Sequence, residues 1–146
     1  MLRGKIAATG SYVPEKVLTN HALEKLIDTT DEWITERSGI RERRISSESQ
    51  AASDLGLEAA KSALKRAGLK PKDIDLIVVA TLSADMPFPS TACIIQSKLG
   101  AKNAAAFDIC AACSGFIFGL SIADSYIRSG AFKRILLIGA EAISKF

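Results

Sequence analysis

The sequence is short of the residues that usually build metal centres, disulfide scaffolds and membrane spans. Its 146 residues include one histidine, three cysteines, one tryptophan and four prolines. Three cysteines form no even disulfide framework, so a reducing, cytoplasmic setting is the expectation. A tetrahedral zinc site needs four ligands, and the pair Cys110 and Cys113 has no second pair to complete one, so no metal is expected. The net charge is only +3 and runs of one sign are short. A nucleic-acid binder would gather a larger basic excess on one face, so no nucleic-acid partner is expected. No stretch nears the roughly 20 apolar residues that cross a bilayer, which argues against a membrane partner. The longest apolar run, 115–123, is interrupted by Ser121. The opening Met1-Leu2-Arg3-Gly4-Lys5 lacks the apolar middle region of a signal peptide.

What remains has the composition of a globular protein, 48% hydrophobic and 24% charged, long enough for one sizeable core. Residues 5–10 read as an opening strand ending in glycine. Thr19 or Asn20 can cap a short helix through Ile27. Thr29-Thr30-Asp31-Glu32 has capping-box form and opens a second helix that stops at Gly39. A longer helix starts at Ser49, with Ala52, Leu55, Ala59, Ala63 and Ala67 near helical spacing, and Gly68 closes it.

Pro71 and Asp73 lead into the β-branched run 76–80, the pattern of a strand buried on both faces. Ser90 begins a helix ending at Gly100, and 104–109 reads as a strand leading to Cys113. A helix then runs to Ser129, closed by Gly130, and 134–139 is a further buried strand. Alternating strands and helices predict an α/β fold with a mixed, mostly parallel sheet. Residues 114–127 are apolar on most faces, which predicts a helix sandwiched between layers. No repeat, linker or low-complexity tract is visible, and 141–146 leave the last strand without a closing element.

The segment from Phe107 to Phe116 carries the chemistry. A strand turns through small residues into an apolar helix, with Cys113 at the junction. Partial positive charge at a helix amino terminus favours an anionic sulfur, and free backbone amides there can hold an oxyanion. Such a cysteine can accept an acyl group from a thioester. Two other readings stand beside this one: a buried cysteine acting as a small hydrophobe, which suits Cys93, and a redox dithiol of Cys110 and Cys113. The dithiol reading is weakened by the expected poor access to Cys110 at the end of a buried strand.

Ala111-Ala112-Cys113-Ser114-Gly115-Phe116 resembles the nucleophile motif of the β-ketoacyl-acyl-carrier-protein synthase III enzymes of the thiolase superfamily. Three further segments match the same family in the same order. They are Gly10-Ser11-Tyr12 with Pro14; Asp31-Glu32-Trp33-Ile34 continuing to the stretch Arg37 to Arg43; and Phe88-Pro89-Ser90 with Gln96, Leu99 and Gly100. The resemblance implies that 1–146 is an amino-terminal thiolase-like domain, a layered αβαβα half. It implies an acyl thioester on Cys113 formed from a short acyl-coenzyme A, with acetyl the first candidate. Condensation with malonyl-acyl-carrier protein would follow, in a homodimer, with no cofactor beyond the coenzyme A substrate.

The same resemblance assigns Trp33 to adenine stacking, Thr29 to a hydrogen bond beside it and Arg37 to the nucleotide. Positions 33 and 37 share a helix face, as a platform requires; taken alone, they also fit a core indole and a solvated charge. Phe88 resembles the residue that bounds the partner subunit's acyl pocket; read alone, it anchors a loop of prolines. Arg37, Arg41, Arg43 and Arg44 fit a solvated face able to attract an acidic carrier. His21 reads as a surface residue. The family's catalytic histidine and asparagine come from the carboxy-terminal half, absent from these residues. The 146-residue chain by itself is therefore expected to be inactive in condensation and marginally stable. A secondary-metabolite condensing enzyme of the same fold, or a non-catalytic partner half, are the alternatives.

Overall fold

A computed structural model describes residues 2–145; Phe146, the end of the segment expected to lack a closing element, lies outside the described residues. The described residues fall into two compact units, 13–49 with 144–145, and 2–12 with 50–143.

In the smaller unit, β1 (Lys16–Thr19) pairs antiparallel with β2 (Glu42–Ile45). This ribbon was not expected, because KVLT and ERRI lack a clean apolar alternation. Between the strands lie α1 (Asn20–Leu23) and α2 (Asp31–Ser38). Thr19 caps α1 by accepting from the Ala22 amide at 3.2 Å. The helix ends at Leu23 rather than Ile27, and the Glu24 carboxylate instead accepts from the Asp31 amide. The α2 cap is Thr30, whose hydroxyl accepts from Trp33 N at 3.1 Å. That frame puts Glu32 one position short of N3, so the expected capping box does not form. Gly39, at φ +72°, ends α2 as expected.

Asn20 organises this unit from a buried position. Its amide donates to Asp31 Oδ1 at 2.8 Å and Ile40 O at 2.7 Å, and its Oδ1 accepts from Arg43 at 2.8 Å. Its side chain is thus satisfied at both ends, as burial of an amide demands.

The larger unit is built on three parallel strands in the order β4-β3-β5: β3 (Leu76–Ala80), β4 (Ala105–Ile109) and β5 (Ile135–Gly139). The central strand is buried along its whole length. Helices α3 (Ala52–Ala67) and α4 (Thr91–Leu99) pack against one face, where Ile77, Val79, Leu136 and Ile138 meet Leu57, Leu64 and Ile95. On the other face lies α5 (Gly115–Ser129). A Cβ on Gly119 would come within 2.4 Å of Leu137, and one on Gly115 within 3.2 Å of Ala80 Cβ. The two glycines thus let the helix backbone approach the sheet closely.

Three expectations need correction here. Residues 5–10 form no strand; this segment bonds to helix side chains instead, Arg66 donating to Thr9 O at 3.2 Å. Gly10 sits so close to α3 that a Cβ would lie 2.3 Å from Ala63 N. The alanines at 59 and 63 therefore receive this segment rather than lining the core, which α3 fills with Leu57, Ala60 and Leu64. The start of α3 is Ala52 rather than Ser49, because the Asp54 carboxylate accepts from Ala51 N at 2.9 Å. Finally, α5 is not sandwiched: Phe116, Ile117, Phe118 and Leu120 are 37–64% exposed. Its glycine side faces the sheet, and no described residue covers the opposite side.

Candidate active site

The carboxyl ends of β3 and β4 lie at one edge of the sheet, since Ala80 pairs in parallel with Ile109. Open α/β sheets bind ligands at this edge. The chain leaves β4 at Ile109 and turns through Ala112, a non-glycine residue at φ +44°. It makes one 3-10 turn, Ala112–Ser114, and enters α5. Holding alanine in the left-handed region costs about 1–2 kcal/mol. Such strain collects at functional turns.

Cys113 is exposed on this turn. Ser114 N donates to Ala111 O at 3.1 Å and Gly115 N to Ala112 O. The Cys113 amide has no hydrogen-bond acceptor among the described residues. The Ser114 hydroxyl makes no cap bond to the start of α5. An exposed thiol whose own amide is unbonded supplies the two kinds of group needed to hold an acyl carbonyl and its developing oxyanion. Cys110 is also exposed, contrary to the expectation of poor access, because it lies one residue past the end of β4 rather than within it. Cys93 is half-buried within α4, its thiol 3.7 Å from Ala106 O, which fits a packing role.

The loop from β3 to α4 is fixed by carboxylates. Glu141 accepts from Leu82 N at 3.0 Å and Ser83 N at 3.1 Å, and from the hydroxyls of Thr81 and Ser83. Asp85 accepts from Ser53 N at 2.9 Å. Asp108, within β4, accepts from Thr91 N and Ala92 N, both at 2.7 Å. Between these anchors Phe88 is 87% exposed. Sequence reasoning missed all three acids. A carboxylate inside the apolar strand AAFDI was a readable signal for Asp108, since a half-buried charge needs partners. Glu141 and Asp85 carried no such signal.

The smaller unit holds the other predicted residues. Trp33 projects from α2 at 56% exposure, and the Arg37 guanidinium stacks over its ring, 5.0 Å from the centroid. An exposed indole with a cation on its face is a platform for a flat, anionic ligand. Thr29 is half-buried, one residue before the α2 cap. Of the arginine cluster, Arg43 donates to Asn20 and Leu18 O, and Arg44 to Pro14 O and Glu42. Those two hold the unit together rather than forming a free basic face. His21 is exposed and lies 3.4 Å from Glu24.

Helices on both faces of a parallel sheet, with the chain passing from β4 through a tight turn into α5, form the fold shared with the thiolase-like condensing enzymes of solved structure. Residues 107–146, which include Cys113, match the family model of 3-oxoacyl-[acyl-carrier-protein] synthase III. The β-ketoacyl-[acyl-carrier-protein] synthase III of Caldanaerobacter subterraneus subsp. tengcongensis is 61% identical over 140 residues, 96% of this chain and 42% of that protein. The solved 3-oxoacyl-[acyl-carrier-protein] synthase III from Aquifex aeolicus superposes with a TM-score of 0.94 at 55% identity, covering 97% of this chain and 46% of that one. The priming β-ketosynthase of the R1128 polyketide pathway superposes with a TM-score of 0.93 at 38% identity, covering 98% and 43%. The chain belongs to the β-ketoacyl-[acyl-carrier-protein] synthase III family and spans less than half the length of the curated relatives it matches.

Proposed function

We propose that this chain supplies the acyl-accepting half of an acyltransferase that condenses a short acyl group with malonyl-acyl-carrier protein, starting fatty-acid synthesis. Cys113 sulfur attacks the carbonyl of an acyl-coenzyme A, acetyl-coenzyme A first among them. The tetrahedral oxyanion is held by the Cys113 amide, and coenzyme A leaves as its thiol. Malonyl-acyl-carrier protein then loses carbon dioxide, and the resulting carbanion attacks the Cys113 thioester. The sulfur departs and a β-ketoacyl-acyl-carrier protein is released. Trp33, Arg37 and Thr29 bind the nucleotide end of coenzyme A, and Phe88 bounds an acyl pocket across a homodimer. The reaction takes place in the cytoplasm and uses no metal or redox cofactor.

The observation that carries this reading is the exposed Cys113 on its strained turn, with its amide unbonded. Incubating the full-length protein with labelled acetyl-coenzyme A tests it. The label is expected as a thioester lost in Cys113→Ala and retained in Cys110→Ala; the opposite pattern moves the chemistry to a redox pair. A second reading, priming of a secondary-metabolite pathway, is supported by the likeness to the R1128 priming ketosynthase. Product analysis with different carrier proteins separates the two.

A further inference from the structure

The amino terminus of α4 is internal. Thr91 and Ala92 are fully buried, so water cannot serve the amides that a helix leaves without partners in its first turn. Three of those amides are satisfied by two residues: Ser90 Oγ accepts from Cys93 N at 3.2 Å, and the Asp108 carboxylate accepts from Thr91 N and Ala92 N. The Asp108 bonds span the fold. They join β4, five residues before Cys113, to the helix start three residues after Phe88. An anion at a helix amino terminus is also favoured by the helix dipole.

We propose that Asp108 is a positioning residue for primer selectivity. Resting on the reading of Cys113 as acyl acceptor and Phe88 as a wall of the partner subunit's pocket, it fixes where Phe88 stands at the start of α4, and with it the acyl length that the pocket across the homodimer accepts. Glu141 holds the other end of the same loop at 81–83, so freeing the Asp108 end lets the wall give way at Phe88 without releasing the loop entirely. Loosening favours longer primers over acetyl.

A built-in control lies at the opposite edge of the sheet. The Asp75 carboxylate accepts from Lys133 N and Arg134 N, both at 2.9 Å, the same two-amide clamp remote from Cys113. The experiment uses the full-length protein and measures acylation of Cys113 by acetyl-, butyryl- and hexanoyl-coenzyme A, together with the melting temperature. In Asp108→Ala the acetyl-to-hexanoyl ratio of kcat/KM is expected to fall about tenfold, since small displacements of a positioning wall have large rate effects. In Asp108→Asn, which keeps one acceptor, the fall is smaller, about threefold. Asp75→Ala lowers the melting temperature and leaves the ratio unchanged. An unchanged ratio in both Asp108 variants overturns the proposal, and if Asp108→Ala does not fold, Asp108→Asn decides alone. Absence of any thioester on Cys113 in the unsubstituted protein instead overturns the underlying reading, and this inference with it.

Discussion

Two helices begin at the same edge of the sheet, and their first turns are treated in opposite ways. At α4 the first three amides are occupied, two by Asp108 and one by Ser90, and the turn is buried. At α5 no side chain caps the helix, the preceding alanine is held at positive φ, and the Cys113 amide is left open beside an exposed sulfur. A satisfied helix start is a structural joint. An unsatisfied one is available to a ligand, and its unmet hydrogen-bonding capacity is the part of the fold that chemistry can use.

The contrast can be broken most completely at the sulfur. Cys113→Ala is expected to abolish acyl-enzyme formation, seen as loss of the acetyl mass increment on the intact protein. A smaller effect comes from moving α5 off the sheet. In Gly119→Val the new side chain meets Leu137, and overpacking of this kind costs about 1–3 kcal/mol, read by chemical denaturation. Removing the α4 cap in Ser90→Ala should cost about 1 kcal/mol by the same measurement. The matching change at the other helix, Ser114→Ala, should cost close to nothing, since its hydroxyl makes no cap bond. An equal loss in the two serine variants would erase the distinction between the helix starts.

Much of this arrangement was legible in the residues. The β-branched run 76–80, the glycines closing α2 to α5, and the small-residue turn at Cys113 each act through local geometry, so local sequence reports them. The misread parts depend on partners distant in the chain. Residues 5–10 have strand composition but lie against α3 through Gly10. The β1–β2 ribbon is held by Asn20 and Arg43 more than by any apolar alternation. The outer face of α5 has the composition of an interior helix, yet it is exposed because the described residues provide a single layer against it. Asp108 was the missed site residue with a usable signal, and Glu141 could be placed only once β3 and β5 were known to be neighbours.

The bonds of Arg43 also change what the formal charge of the second helix region means to a polyanion. A guanidinium already donating to an internal amide oxygen and a backbone carbonyl cannot reorient toward an incoming phosphate or carboxylate without dismantling its own unit. The exposed Arg37, stacked on the Trp33 ring, and the exposed Arg41 are therefore the cations of that cluster left to meet one. Attraction of any polyanion to this region should accordingly weaken with rising ionic strength less steeply than four free arginines would dictate.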